Sequence, residues 1–452
     1  MKALDLSKDK EYKIVLRLAI PAVIAQLINV LYSIVDRLYI SNMPNNGDLA
    51  LSGIGVVAPI CTLITSFSYL IGLGGAPLMA ISLGEKNDEK AKKILANAFM
   101  CLIFLGIVIP LIIFSCYSTL LNTFGATTNT FSFAKDYLLI YLLGAPFALL
   151  ALGLNQFIVS MGYSTKAMIT MLIGAIVNII LDPIFIFGFN MGVSGAALAT
   201  AIAQVLSCLF TLWVLFSKSS QVRISFGKYD IKIILKITLL GLSPFIIAAT
   251  DSLVCIILNS SIKIYGGDLV DEYISVATIT NSFFQIFTMP LLGISGGTGA
   301  VLSYNYGAKE IKRVKTAEKY ILISALVLTS VAFILSFFIT LPVINLFNAN
   351  ETVQNIAQRT IRIFMNGIIM LSFQYCFVDG LTALGRAKEA VVLSLIRKTT
   401  TIILTLVLPV FMGIIGCFYA ELISDLFAST VTLIVFSILF SKILNKRLIN
   451  QQ

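Results

Sequence analysis

Residues 14–40 read IVLRLAIPAVIAQLINVLYSIVDRLYI. Charge is confined to Arg17 near the start and to Asp36 and Arg37 near the end. A helix needs about 20 mostly apolar residues to cross the hydrocarbon of a bilayer, and this stretch is longer. It also exceeds the about 7–15 apolar residues of a secretory signal. No cleavable leader is therefore expected, and the stretch reads as a first membrane span.

Eleven more runs follow it, at 49–83, 93–121, 133–161, 167–189, 193–217, 231–265, 273–304, 319–347, 357–384, 388–412 and 415–441. Several exceed the bilayer requirement, which predicts tilt, kinks and protruding ends. Of the 452 residues, 58% are hydrophobic and 12% charged, about half the roughly 25% charged residues of a soluble domain. Lipid is the solvent that such a surface fits. The expected fold is an all-α polytopic membrane protein of twelve transmembrane helices.

The formal charge is +10, but the basic residues lie in short clusters between apolar runs. These include Lys8, Lys10, Lys13 and Arg17; Lys86, Lys90, Lys92 and Lys93; Lys218, Arg223, Lys228, Lys232 and Lys236; Lys309, Lys312, Arg313 and Lys315; and Lys442, Lys446 and Arg447. Lys166, Arg386 and Lys388 fall on the same side, and the opposite side carries little beyond Arg37, Lys135, Lys263, Arg359 and Arg362. Basic residues mark the cytoplasmic side of membrane proteins, so both termini are expected in the cytoplasm of a cell-membrane protein. That arrangement requires an even number of spans. Nucleic acid is not an expected partner; membrane lipid is.

The polar stretch 218–230 divides the chain into lobes at 1–217 and 231–452. Sliding the sequence by 223 residues places Pro21 on Pro244, Gly74 on Gly297, Gly84 on Gly307, Lys86 on Lys309, Gly144 on Gly367 and Gly162 on Gly385. Near the end the offset becomes 221, pairing Gly192 with Gly413 and Gly195 with Gly416. Six spans per half make the repeat parallel, with a pseudo-twofold axis along the membrane normal. Parallel repeats are a known transporter plan, with substrate bound between the halves.

Polar groups inside spans are costly and mark functional sites. The N-terminal half has two such acids, Asp36 and Asp182. Asn178 and Asp182 are four residues apart and share a helix face, and Pro183 frees a backbone carbonyl one turn back. This supplies oxygens for a hard cation or a carboxylate for a proton. Asp36 by itself reads equally as a helix-end carboxylate paired with Arg37. Asp36 maps onto Asn259, and Asp182 onto Leu408 or Thr405, so the second half lacks both acids. Its own acids are Asp251, Asp379, Glu421 and Asp425. Arg397 is expected to pair with Glu421 or Asp425, and Lys398 to reach the cytoplasmic face. Gln26, Asn29 and Gln285 are candidate cavity residues, because amides in spans face partners or water.

Other chemistries find no support. The chain has no histidine, which removes His-based metal sites and proton relays. The seven cysteines all lie in apolar runs without a CxxC and read as small buried hydrophobes. GLGGAP at 72–77 and GISGGTG at 293–299 lack the Lys-Ser/Thr of a phosphate loop and fit close helix packing. An ion gradient is then the expected energy source, and no cofactor is called for.

Several stretches together resemble the multidrug and toxic compound extrusion (MATE) family. They are PAVIAQLINVLYSIVDRLYIS at 21–41, GLGGAPLMAISLGEKNDEKA at 72–91, LNQFIVSMGYSTKAM at 154–168, IVNIILDPIFIFGFNMGVSGAALATAIAQ at 176–204 and GISGGTGAVLSYNYGAKEIKRVK at 293–315. The resemblance runs from about residue 14 to 440. It implies two pseudo-symmetric six-helix lobes forming a V, and export of cationic, amphipathic compounds in exchange for Na+ or H+. By the same resemblance Asp36, Asn178, Asp182 and Thr200 match the family's N-lobe cation pocket, and Tyr32, Tyr137 and Asn155 line it. Some branches bind cations at acids on the seventh and tenth helices, where Asp251 and Asp379 lie without matching the motif well. These two are expected contacts for a cationic substrate, unless Arg362 or Arg397 pairs with them.

The expectation is thus a secondary antiporter, acting as a monomer. A flippase for a lipid-linked precursor is the alternative within the same superfamily; it favours a strongly cationic cavity, which these spans do not supply. A membrane enzyme would need clustered catalytic groups such as DDxxD, and none occurs.

Overall fold

The computed structural model describes residues 6, 9–43, 47–218, 220–345, 347 and 351–449. The first lobe contains α1 (Glu11–Ser41), α2 (Gly47–Gly84), α3 (Asp88–Thr123), α4 (Phe131–Ser160), α5 (Ser164–Pro183) with a π-helical turn (Ile184–Gly188), and α6 (Val193–Phe216). The second contains α7 (Ile231–Tyr265), α8 (Val270–Gly307), α9 (Ile311–Asn345), α10 (Glu351–Met365), α11 (Ile368–Ala383), α12 (Ala387–Met412) and α13 (Ile415–Ile449). Among the described residues eleven helices are long and apolar enough to span a bilayer, and α10 with α11, taken as one bent span, makes twelve.

That twelfth span is where the structure departs from the uninterrupted run expected at 357–384. α10 and α11 meet at a 46° bend. α10 starts earlier, at Glu351, because it is amphipathic. Glu351, Asn355, Arg359 and Arg362 recur on an exposed face, while Val353, Ala357, Ile361 and Phe364 are buried. An apolar-run criterion misses its polar first turns, and Gly367 then begins a new direction.

The internal repeat is visible in the backbone. Lys86 and Lys309 both adopt positive φ, 57° and 63°. Gly162 and Gly385 do so at 80° and 76°, and Gly192 and Gly413 at 59° and 66°. Each pair falls at the offset that aligns the two halves.

The lobes meet where small residues let backbones touch. A Cβ added at Gly84 would lie 2.0 Å from the carbonyl oxygen of Tyr304, and one at Gly307 would lie 2.0 Å from that of Ile81. These two contacts are images of one another under the repeat. Higher up, Gly241 lies against Leu70, and Phe67 packs on Phe245 with ring centroids 5.0 Å apart. All of these lie in the halves of α2, α7 and α8 nearest the two chain termini, so the V closes at the end that carries both termini.

Each lobe's first helix begins inside the other lobe. Ile14, Val15, Leu18 and Ala19 of α1 belong to the second lobe's core with Ile311, Val314 and Ala317, whereas Ile40 at the far end of α1 belongs to the first lobe. Reciprocally, Ile237 of α7 is buried in the first lobe with Leu95 and Phe157, while Leu258 and Ile262 return to the second.

Candidate functional site

α5 ends on a local irregularity that shapes the main polar pocket. Asn178 and Asp182 lie one turn apart on its buried face, Pro183 closes the α-helix, and the chain continues as a π-turn. Such turns are rare and concentrate at functional sites. Asn178 Nδ2 donates to Asp182 Oδ1 at 3.2 Å and to Thr200 Oγ1 of α6 at 3.2 Å. Asp36 arrives from the last turns of α1, and its carboxyl faces that of Asp182 within hydrogen-bonding range. Asp36 is 8% exposed and Asp182 fully buried.

Tyrosines close the pocket. Tyr32, one turn before Asp36, faces both carboxyls, and Tyr137 of α4 reaches toward Thr200 and Asp36. Arg37 is exposed and forms no ion pair with Asp36 among the described residues, though its charge is felt there. Three oxygens, Asp36 Oδ1, Asp182 Oδ2 and Asn178 Oδ1, are buried without a hydrogen-bond partner. Unpaired buried acceptors are costly. Two facing carboxylates and an amide oxygen, with no basic group between them, form the donor set of a cation site or the seat of a shared proton.

Asp36, Asn178, Asp182, Thr200, Tyr32 and Tyr137 are thus gathered in one place. Asn155 is not among them. Its Nδ2 donates to the Ala167 carbonyl at 3.3 Å, three turns along α5 from Asn178. Tyr141, Gln204 and Cys61 join the pocket without having been singled out. Tyr141 stacks on Tyr137 at 6.3 Å and faces Gln204 and Cys61. The signal was available, because Tyr141 follows Tyr137, and Gln204 follows Thr200, by one helical turn.

The second lobe's acids are arranged differently. Arg397 Nε donates to Asp425 Oδ1 at 2.7 Å, and Nη2 to Glu421 Oε1 at 3.1 Å. Lys398 does not reach the termini face. It is buried and ion-paired with Asp251 across α7 and α12. Eleven residues into α12 is roughly 16 Å from its start at 1.5 Å per residue, beyond the reach of a lysine stem. Asp251 therefore meets a cation of the chain itself, and neither Arg362 nor Arg397 is its partner. Asp379 sits with Glu318 of α9, away from these pairs. Gln26 is half-buried, with its Cγ beside Gly293 of α8; Asn29 is half-buried one turn further along α1, and Gln285 is exposed.

Fold and site define a polytopic transporter with two repeated six-span lobes and a carboxylate pocket in one of them. The MatE family model matches residues 21–184 and 249–399, well over half of the chain, and the chain belongs to that family: it is a membrane transporter and not an enzyme. Multidrug export protein MepA of Staphylococcus saprophyticus is 24% identical over 430 residues, covering 95% of this chain and 94% of its own length. MepA of Staphylococcus aureus is 26% identical over 421 residues, covering 92% of each. Among solved structures, the outward-facing conformation of a multidrug resistance MATE family transporter of the MOP superfamily superposes with a TM-score of 0.90 at 22% identity, over 98% of this chain and 99% of that one. A MOP superfamily transporter from Pyrococcus furiosus, described as having a binding pocket of reversed polarity, gives 0.89 over the same shares at 22% identity.

Proposed function

We propose that the chain is a secondary antiporter of the cell membrane, working as a monomer with both termini in the cytoplasm, that exports cationic or amphipathic compounds in exchange for H+ or Na+. The observation that carries this reading is the Asp36–Asp182 pair, two facing buried carboxyls each with one oxygen that no group among the described residues satisfies. The basic clusters at the termini end support the orientation. The two MepA relatives, both named as multidrug export proteins, support the substrate class.

The helix connectivity supplies a coupling route. Asp36 sits at the far end of α1, and the near end of α1 is packed in the other lobe. A cation between Asp36 and Asp182 ties that far end to α5. Its release leaves like charges face to face, which drives α1 away from α5. α1 then changes its pose against Gly293 and Gly297 of α8, which rest on Ala22. Ion occupancy thereby biases how the lobes sit together, as a ligand biases any two-state element that it binds unequally.

The test is export of a dye cation from proteoliposomes under separately imposed Na+ and pH gradients, for the wild type and Asp36→Asn. Export driven by one gradient and lost in the variant is the expected result. Undiminished gradient-driven export by Asp36→Asn sinks the mechanism.

A further inference from the structure

Outside the N-lobe pocket, another buried carboxylate stands without a partner. Glu318 on α9 is 4% exposed, and neither of its carboxylate oxygens has a hydrogen-bond partner. It lies against α11: a Cβ added at Gly380 would sit 3.0 Å from Oε1 and 3.3 Å from Oε2. The preceding residue is Asp379, whose charge bears on Glu318 and whose Oδ2 is also buried without a partner. From α8, the Ser295 hydroxyl faces Asp379. Cys376, one turn before Asp379, faces both acids. Among the described residues no lysine or arginine pairs with either carboxyl. Around them lie Ile321, Ala325, Phe377 and Val378 of the second lobe's core.

Two ionised carboxylates in such surroundings carry a desolvation cost of several kcal/mol each and repel one another. No side chain among the described residues neutralises them. The oxygens at hand are two carboxyls and one hydroxyl. A hard metal ion takes about six or more, so this set is too small, whereas a proton needs only one carboxylate to bind and a second to accept its hydrogen bond.

The position is separate from the first pocket. Glu318 is seven residues into α9 and Asp379 four residues from the end of α11, both near the end that carries the termini. Asp36 and Asp182 lie near the opposite ends of α1 and α5. The repeat places Leu95 opposite Glu318 and Gln156 opposite Asp379, so the first lobe has no counterpart.

We propose that Glu318 and Asp379 form a second proton-binding site, in the second lobe at the termini end of the bundle. The site does not depend on the antiport reading, and it gives the transporter a protonatable group on each side of the membrane midplane.

The test is infrared difference spectroscopy of the purified full chain in nanodiscs. A proton held there gives a carboxylic-acid C=O band at neutral pH that shifts in D2O, persists in Asp36→Asn/Asp182→Asn, and disappears in Glu318→Gln. Glutamine matches the shape of the protonated acid, so this variant is expected to keep the wild-type melting temperature. Asp379→Asn, which keeps Glu318, is expected to shift the band. A folded Glu318→Gln protein retaining every such band overturns the proposal. So does Na+ that raises the melting temperature of Asp36→Asn/Asp182→Asn but not of the same protein with Glu318→Gln added, because the site then holds a metal ion. Loss of export in Asp36→Asn bears only on the first pocket.

Discussion

Arg447, near the end of α13, donates a 2.6 Å hydrogen bond from Nη2 to Oε1 of Glu85, the residue after α2. It joins the last helix of one lobe to the second helix of the other, at the face where Gly84 and Gly307 bring the backbones together. Lys90 Nζ holds the other carboxylate oxygen at 3.1 Å, and Arg447 lies over the Tyr306 ring at 5.0 Å.

This contact titrates. Partial burial pushes the Glu85 carboxyl up, but hydrogen bonds from Arg447 and Lys90 outweigh it and hold the group below the ordinary glutamate range. A depressed value means that the contribution is complete above the ordinary value of about 4.3 and is lost as pH falls through the lower one. Glu85→Gln should therefore weaken lobe closure at neutral pH by about 0.2–1 kcal/mol, as part-exposed pairs do, and abolish its acid sensitivity. Spin-label distances between the lobes, recorded against pH, check this; equal acid sensitivity in variant and wild type refutes it.

Gly84→Ala should force the lobes apart at the termini face, because the new Cβ would meet the backbone carbonyl of Tyr304 at 2.0 Å. Gly307→Ala should do the same through Ile81. Gly55→Ala, where no atom lies within 4 Å, is the control. Crosslinking of paired cysteines across that face should fall severalfold for the first two and stay unchanged for the third.

The pocket makes an unusual stability prediction. Asp36→Asn removes one of two facing buried carboxylates, so it should raise the melting temperature at low Na+ and alkaline pH, by a few degrees for about 1–2 kcal/mol. It should also abolish the further rise that Na+ or acid gives the wild type. A melting temperature lowered under every condition argues for a purely structural role of Asp36.

The two buried basic residues of α12, Arg397 and Lys398, should differ in whose removal hurts. Asp251 is 55% exposed and its partner Lys398 7%. Asp251→Asn leaves a buried ammonium and should destabilise more than Lys398→Met, which leaves a carboxylate that the protein covers only in part. Arg397→Met strands the buried Asp425 and should cost about 3–5 kcal/mol. Thermal unfolding of the three variants gives the ranking, and a larger loss for Lys398→Met than for Asp251→Asn reverses it.

Much of the candidate site was legible because its residues obey helical spacing. Asn178 and Asp182 share a face by their four-residue separation, and Pro183 marks the break behind them. Glu318 was not recognised, since KRVKTAEKY reads as a basic end. Its apolar stripe, Ile311, Val314, Ile321 and Ala325, was nonetheless present in the sequence, with Glu318 at the matching turn. Lys398 misled for the opposite reason, since its depth along α12 matters only once Asp251 is known to lie across from it.

The sequence by itself determined the membrane fold, the span count and the two-lobe repeat. Each rests on periodicities along one chain: apolar length against bilayer thickness, and glycines returning at a constant offset. Tertiary structure decided which charges meet, because pairing depends on how helices cross. It set Asp36 against Asp182, gave Lys398 to Asp251, left Glu318 and Asp379 together without a cation, and planted the foot of α1 in the other lobe. No spacing within a single helix contains those choices.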